Sequence, residues 1–482
     1  ILWGWYFDRV MKRDGRVSGA VFTNRRGETL IVSAQLTIDA SDLGDAFASA
    51  GIAYDLGMED KAYSQEAMAP GFFPVLQDLT WAATLQDYGP GAEVTIARPP
   101  DYDSTKYFCC CTDAPCQHTS WPGSAQKMLD YGKLPLSPGQ NQFKYMLNWP
   151  KFGNDDTLNA IAVPPIQRDA YLQPAKNKTL GFLYFIQTRL GYKNIGLAKE
   201  FSSSDGLAYI PYYREGRRMR GVVRLQVNHL LQPYGQKHPL YRTGIAVGDY
   251  PVDHHHAPEK KAPEILFPSI PSFSVPLGAL IPEKGEGLLV CEKGISVSNI
   301  VNGATRLQPC ILLTGQAAGV LAALSVRHHC SPRTIDVRSV QSALLEAKAY
   351  LQPFIDVRPD DPDWSVIQRI GVTGILRGRG VPEGWANKTF FDPDDSLLLT
   401  SLNEGLQSFY PGYTWKKNPS SSQMVTLQDL ARILPALSTG KSFPELEGNR
   451  ENRVLRKREI AVLLDKYLDP FRQPIDLHGN RK

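Results

Sequence analysis

Two short strand-like segments, QLTID at residues 35–39 and GLLVC at residues 287–291, constrain the fold more than any other feature. Each runs straight into helix-forming sequence. The first passes through Ala-Ser-Asp-Leu-Gly-Asp to a small-residue helix ending near Ala50. The second passes through Glu292-Lys-Gly294 to a helix from Pro309 to about Val326 with small residues on one face. A proline in the first turn suits such a helix, because its missing N–H has no intrahelical partner there. Strands feeding helices are the unit of an α/β layer, so both junctions are expected in one layer. The sequence between them has another character. Residues 60–265 are rich in Pro, Gly, aromatics and short alternating runs, with helices predicted at 78–85 and 180–190. They read as an α+β domain inserted between two halves of another domain.

Residues 1–39 predict a β-meander: runs at 6–12, 16–24 and 28–39 are separated by the turn signals Asp14-Gly15 and Arg26-Gly27. A further helix is predicted at 337–350. After the Pro/Asp-rich linker at 358–363, amphipathic helices are predicted at 364–370, 397–409, 427–437 and 457–468, forming a separate helical C-terminal module. The boundaries are therefore 1–59, 60–265, 266–355 and 356–482. A content of 42% apolar and 21% charged residues excludes global disorder. A net charge of only +4 argues against nucleic acid as a partner. No uninterrupted run reaches the ~18 apolar residues that span a bilayer, so no membrane span is expected. The chain opens at Ile1 without an initiator Met, and the expectation is a processed or truncated edge.

Three stretches could carry chemistry. Acidic residues at the strand ends can accept hydrogen bonds from ligand hydroxyls. A helix N-terminus favours electron-rich groups, and Gly315, Ala317 and Ala318 permit close approach; a Gly/Ala helix packing tightly on a sheet would look the same. Five arginines, Arg214, Arg217, Arg218, Arg220 and Arg224, follow Tyr212 and Tyr213 and enclose Glu215. They could grip an anionic substrate or form a solvated basic face. In Asp249-Tyr-Pro-Val-Asp-His-His-His256, an extended backbone puts His254 and His256 on one side and His255 on the other. A metal site with Asp253 lacks a third ligand at defined spacing. The alternatives are a surface histidine loop and a general acid/base with neutral-range titration.

Cysteines cluster at Cys109, Cys110, Cys111, Cys116, near His118. Zinc or an iron–sulfur centre is conceivable, but adjacent cysteines face one ion poorly and CxxC spacing is absent, which favours a nearby disulfide or burial. Cys291, Cys310 and Cys330 stand alone and read as buried small hydrophobes.

Several motifs, in order, resemble the FAD-dependent oxidoreductase family: LWGWYFDRVMKRDGRVSGAVF, TIDASDLGDAFASAGIAYDLGME, LNWPKFGND, DGLAYIPYYREGRRMRG, YRTGIAVGDYPVDHHH and GLLVCEKGISVSNIVNGATRLQPCILLTGQAAGVLAA. The resemblance covers about residues 1–355. It implies an α/β fold: part of an FAD-binding flavoprotein domain, an inserted α+β substrate domain and a mainly helical C-terminal module. It implies FAD as cofactor, hydride transfer with a small-molecule substrate, and roles for particular residues. Asp39, Ser41 and Asp42 would lie near the adenosine side and Glu292 near the ribityl chain. Arg306, Gln308 and Pro309 would lead toward the isoalloxazine, with Gly315, Gln316, Ala317 and Ala318 behind. His254 and His256 would be catalytic, helped by Tyr250 and Asp253, while Arg214, Arg217 and Arg218 would hold an anionic or saccharide substrate. The family's GxGxxG unit follows no strand in this chain, since GILRGRG at 374–380 lies in the helical module; it is expected upstream of Ile1.

At the C-terminus, VTLQDLARILPAL and RVLRKREIAVLLDKYLDPF resemble surface-layer-homology repeats through Arg458, Glu459, Ile460, Ala461 and Leu464, which implies an extracytoplasmic bacterial setting. An ordinary amphipathic helix has the same spacing. The tryptophans Trp3, Trp5, Trp121, Trp149, Trp364, Trp385 and Trp415 motivate an alternative: a secreted carbohydrate-binding or carbohydrate-degrading protein on this scaffold without redox function.

Overall fold

β1 (Tyr6–Arg13), β2 (Arg16–Thr23) and β3 (Thr29–Ser33) form an antiparallel meander. Asp14 and Gly15 both take positive φ at its first turn. The computed structural model describes residues 1–117, 123–149, 152–414, 420–437 and 452–482. His118, Trp121 and Trp415 fall outside these. After the meander the chain leaves its sheet. β4 (Thr37–Asp39) pairs in parallel with the strand Leu288–Val290, Thr37 opposite Leu288 and Asp39 opposite Val290. Leu288–Val290 is buried throughout, the burial expected of a strand covered on both faces. The two junctions therefore share one layer, and both strands deliver their following turns to the same edge.

Helix α1 (Asp45–Ser49) follows β4. Asp39 caps this turn from within: its carboxylate accepts from Ser41 N–H, Ser41 Oγ–H and Phe47 N–H at 2.7–2.9 Å. After Leu288–Val290 come a helix at Asn299–Thr305, capped by Ser298, and the long helix Gln308–Arg327. Among the described residues, this last helix alone is long and apolar enough to cross a membrane by length and composition. Thr, Gly, Gln and Ser interrupt its apolar run without lowering its average hydropathy much. It is a weak candidate: Cys310, Thr314, Ala317, Ala318, Leu321 and Ser325 pack inward.

The inserted region has its own core, built mainly from residues 79–213 around Trp81, Phe182 and Phe185. The helix predicted near 180–190 spans Gln173–Thr188. Residues 78–85 are not helical. They form the strands Leu79–Thr80 and Ala83–Asp87, the latter between Lys144–Leu147 and Ile195–Leu197. A short apolar run does not distinguish helix from strand by period, and here non-local pairing decides. A disulfide joins Cys111 to Cys116, with Cys110 Sγ 3.7 Å from Cys116 Sγ. Cys291 and Cys310 are buried, whereas Cys330 is only half-buried.

C-terminal helices lie at Trp364–Gly371, Leu399–Phe409, Leu427–Leu437 and Lys457–Tyr467, close to the expected positions. They are not separate from what precedes them. One buried core runs from Val223 to Leu477 and takes in residues on both sides of the linker. Phe354 packs on Phe391, and Arg242 donates to Thr373 O and Ser408 O at 3.0 and 2.9 Å. Trp149 and Trp364 are interior residues, whereas Trp3 and Trp385 are exposed.

Candidate active site

At the strand ends, the backbone turns sharply and Glu292 takes φ 67°. Lys293 follows it, buried, with Nζ donating to Asp42 at 2.6 Å and to Glu292. Burial opposes the Lys293 charge, yet the Asp42 and Glu292 carboxylates outweigh it and raise its pKa. Glu292 is pushed up to about 7 by burial, against the pull of Lys293 and with the repulsion of Asp42. The Lys293 ammonium also lies 5.6 Å from the Tyr212 ring centroid, which carries the site toward the inserted region.

Tyr212 meets Arg306, the C-terminal cap of the helix Asn299–Thr305. Arg306 donates to Tyr212 Oη at 3.0 Å and to Asp253 Oδ2 at 2.8 Å. The same Asp253 oxygen accepts from Tyr250 at 3.2 Å and faces His255 Nε2 at 2.9 Å. The other His255 nitrogen, Nδ1, is 3.0 Å from Asp155 Oδ2. Asp155 is held in turn by Arg214 at 3.0 Å and by the Thr80 hydroxyl. Burial alone would raise the Asp155 pKa, but hydrogen bonding from His255 and the Arg214 charge bring it to about 2. Burial likewise opposes Asp253 ionisation, and His255 and Arg306 lower its pKa strongly. One imidazole thus sits between two carboxylates that are both held ionised.

Of the three histidines, the middle one meets the carboxylates. The alternation is as expected, with His254 and His256 rings on one side at 6.1 Å. All three are half-buried; the 254 side packs toward Asn299 and Phe267, and His255 receives the polar network. His254 faces Asn299 O through Nε2 at 2.9 Å, and burial, aided by the charge of His256, drives its pKa down to about 3. His256 is lowered as well, chiefly by burial. Neutral, half-buried rings of this kind are poor proton exchangers.

The arginines also differ from expectation. Arg214 and Arg218 are 1% and 0% exposed. Arg214 binds Asp78 O, Thr80 and Asp155; Arg218 binds Glu59, Glu215 and Gly57 O. Arg217 is spent on Leu43 O, Ile161 O and Asp45. Arg217 and Arg218 tie the inserted region to the strand-end layer, Arg214 binds within the inserted region alone, and none of the three offers a free fork to an anion. Asp39 and Ser41 are similarly consumed by the turn they cap. Ala317 and Ala318 point into the core, while Gln308, Pro309 and Gln316 are exposed.

The chain of 482 residues matches the model of the family described as FAD dependent oxidoreductase over residues 1–344. It belongs to that family. No curated protein and no solved structure matches it. The protein is a flavoprotein oxidoreductase, and its cofactor is FAD.

The residues present fit that cofactor. The helix Gln308–Arg327 has no side-chain cap at its N-terminus, which leaves first-turn N–H groups available to an electron-rich ligand. A Cβ built on Gly315 or Gly319 would meet nothing within 4 Å, so that face is open and flat. Asp42 and Glu292 bring carboxylates to the ends of parallel strands, where α/β layers place ligands.

Glu66 is a buried group that sequence inspection passed over, for lack of any motif. It accepts from Val227 N–H and Ser298 Oγ–H at 2.7 Å each and thereby fixes the cap of the helix leading to Arg306. Burial raises its carboxyl to about 7. The folded state therefore binds its proton more tightly than the unfolded chain does. Its stabilising contribution is full below about pH 4.5 and is lost as pH rises through about 7. Urea unfolding across this window should show wild-type stability falling with pH relative to Glu66→Gln, by on the order of 3 kcal/mol. Parallel curves for the two proteins would contradict the assignment.

Proposed function

We propose that the enzyme oxidises a carbinol carbon of a small organic substrate, with His255 exchanging the proton. The observation that carries this reading is the position of His255 between Asp155 and Asp253, beside Arg306. FAD, when bound, supplies the two-electron acceptor.

The chain's own groups would manage everything else. Nδ1 and Nε2 each face a carboxylate, Asp155 Oδ2 at 3.0 Å and Asp253 Oδ2 at 2.9 Å, so a ring protonated on both nitrogens makes a charge-assisted hydrogen bond on each side. The proton between Nε2 and Asp253 would leave first, and the hydroxyl proton of the substrate would then take its place at Nε2. Arg306 and the Tyr250 hydroxyl keep Asp253 oriented. Asp155, buried and bound by Arg214, fixes the ring tautomer as an orienting carboxylate does in other acid–base sites.

The test is anaerobic mixing of the FAD-loaded enzyme with alcohols and polyols carrying hydrogen or deuterium at the reacting carbon. Bleaching of flavin absorbance, slowed by deuterium, is the expected result. Bleaching insensitive to deuterium, or none with any carbinol, would overturn the proposal.

A further inference from the structure

One wall of the candidate site comes from a part of the chain beyond the family match, which ends at residue 344. Asn387 donates its backbone N–H and its Nδ2 to Asp249 O at 2.9 and 3.0 Å. These bonds hold the loop before the strand Lys388–Phe390 against the segment carrying Tyr250 and Asp253. The loop presents Trp385, 64% exposed, with its ring centroid 5.5 Å from that of Tyr250. A second exposed ring comes from the inserted region. Tyr131 ends the helix Ala125–Tyr131, is 60% exposed and packs edge-on against Trp149 at 5.2 Å. Burial raises the pKa of its phenol, and the Asp253 carboxylate adds to the rise. Of these two rings, Trp385 lies directly beside Tyr250, whose hydroxyl donates to Asp253.

Trp385 turns its exposed indole to the solvent beside the Tyr250 hydroxyl and the Asp253 carboxylate, so a flat apolar face and hydrogen-bonding groups adjoin. The charged groups beneath are already paired: Arg306 with Asp253, Arg214 with Asp155, and His255 with both carboxylates. The site therefore offers ring faces and hydroxyl partners to a ligand, and no unpaired charge among these groups.

We propose that Trp385 is the stacking wall of the substrate site and that the substrate is a neutral polyhydroxylated ring, a sugar or cyclic polyol. Its C–H face lies on the indole, and its hydroxyls reach toward Tyr250 and Asp253. The inference rests on the reading of His255 given above. In the reaction, the carbinol carbon loses its hydrogen as hydride to FAD and its hydroxyl proton to His255, leaving a C=O group.

The experiment uses the full chain loaded with FAD and the probes glucose, galactose and myo-inositol, with gluconate as the charged comparison. Calorimetric binding and anaerobic flavin reduction are both measured for wild type, Trp385→Ala and Trp385→Phe. At least one neutral probe should bind, more tightly than gluconate. Trp385→Ala should weaken it about tenfold and Trp385→Phe should return it to within about threefold, with unchanged melting temperatures. Failure of every neutral probe to bind, tighter binding of gluconate, or wild-type binding by Trp385→Ala would overturn the inference. If the probes bind as expected but leave the flavin oxidised, the stacking site stands and the hydride reading fails. If they reduce the flavin with the same KM in Trp385→Ala, the hydride reading stands and the stacking wall fails.

Discussion

Replacing His255 with glutamine lowers the rate of substrate-driven flavin reduction by about 10²–10⁴-fold, the usual worth of a positioned acid–base group. Glutamine can still hydrogen-bond to one carboxylate, so local structure should survive, but it cannot accept the proton. The loss should therefore fall on kcat, with FAD affinity nearly unchanged, and should shrink at high pH, where hydroxide can replace the base. His254→Gln is the informative comparison. That ring is neutral because burial pushes its pKa to about 3, and its Nε2 is tied to Asn299 O. Its replacement should cost stability, about 1–3 kcal/mol for a disturbed buried hydrogen bond, without moving the pH profile of flavin reduction. Stopped-flow bleaching across pH, with thermal melts of the same samples, separates the two. A pH profile that moved with His254 and not His255 would favour the side of this extended segment that sequence alone suggested.

That reversal shows what the sequence could carry. Alternation along residues 253–256 was legible, because an extended backbone imposes a period of two. Which side meets the carboxylates was not, since that depends on Asn299 and Asp155, both distant in sequence. The strand-to-helix junctions were legible for a similar reason. Residues 37–39 and 288–290 are short, apolar and followed by helix-forming sequence, and the structure pairs them in parallel. Residues 78–85 were misread because their partners, Lys144–Leu147 and Ile195–Leu197, lie far along the chain. The C-terminal helices were located from their own periodicity, yet their shared core with residues 223–357 was invisible, because an amphipathic pattern does not say what covers it. Trp385 shows the same limit: its indole was visible, but its place beside Tyr250 depends on two hydrogen bonds from Asn387 to Asp249.

The largest effect on stability is expected at Arg218. Its guanidinium is wholly buried and binds Glu59 at 2.9 Å, Gly57 O at 2.5 Å and Glu215. Glu215 in turn accepts from Gln77 N–H at 3.1 Å and Asn299 Nδ2 at 3.0 Å, and Glu59 accepts from Asn299 N–H at 2.9 Å. Arg218→Met keeps much of the side-chain volume but strands the buried Glu215 carboxylate and leaves Glu59 only Arg224, 3.5 Å away; breaking a buried pair in this way costs about 3–5 kcal/mol. Urea denaturation should register that loss. Adding Glu59→Gln and Glu215→Gln to Arg218→Met should recover part of the stability, since neutral amides need no counter-charge in the same space. A substrate-gripping arginine predicts the opposite pattern, a raised KM with an unchanged unfolding midpoint. The two patterns differ because Arg218 joins the strand pair Arg218–Met219/Tyr54–Asp55 to the helix start at Asn299. Loss of its charge should therefore loosen the support of Arg306 and reach the candidate site only through the fold.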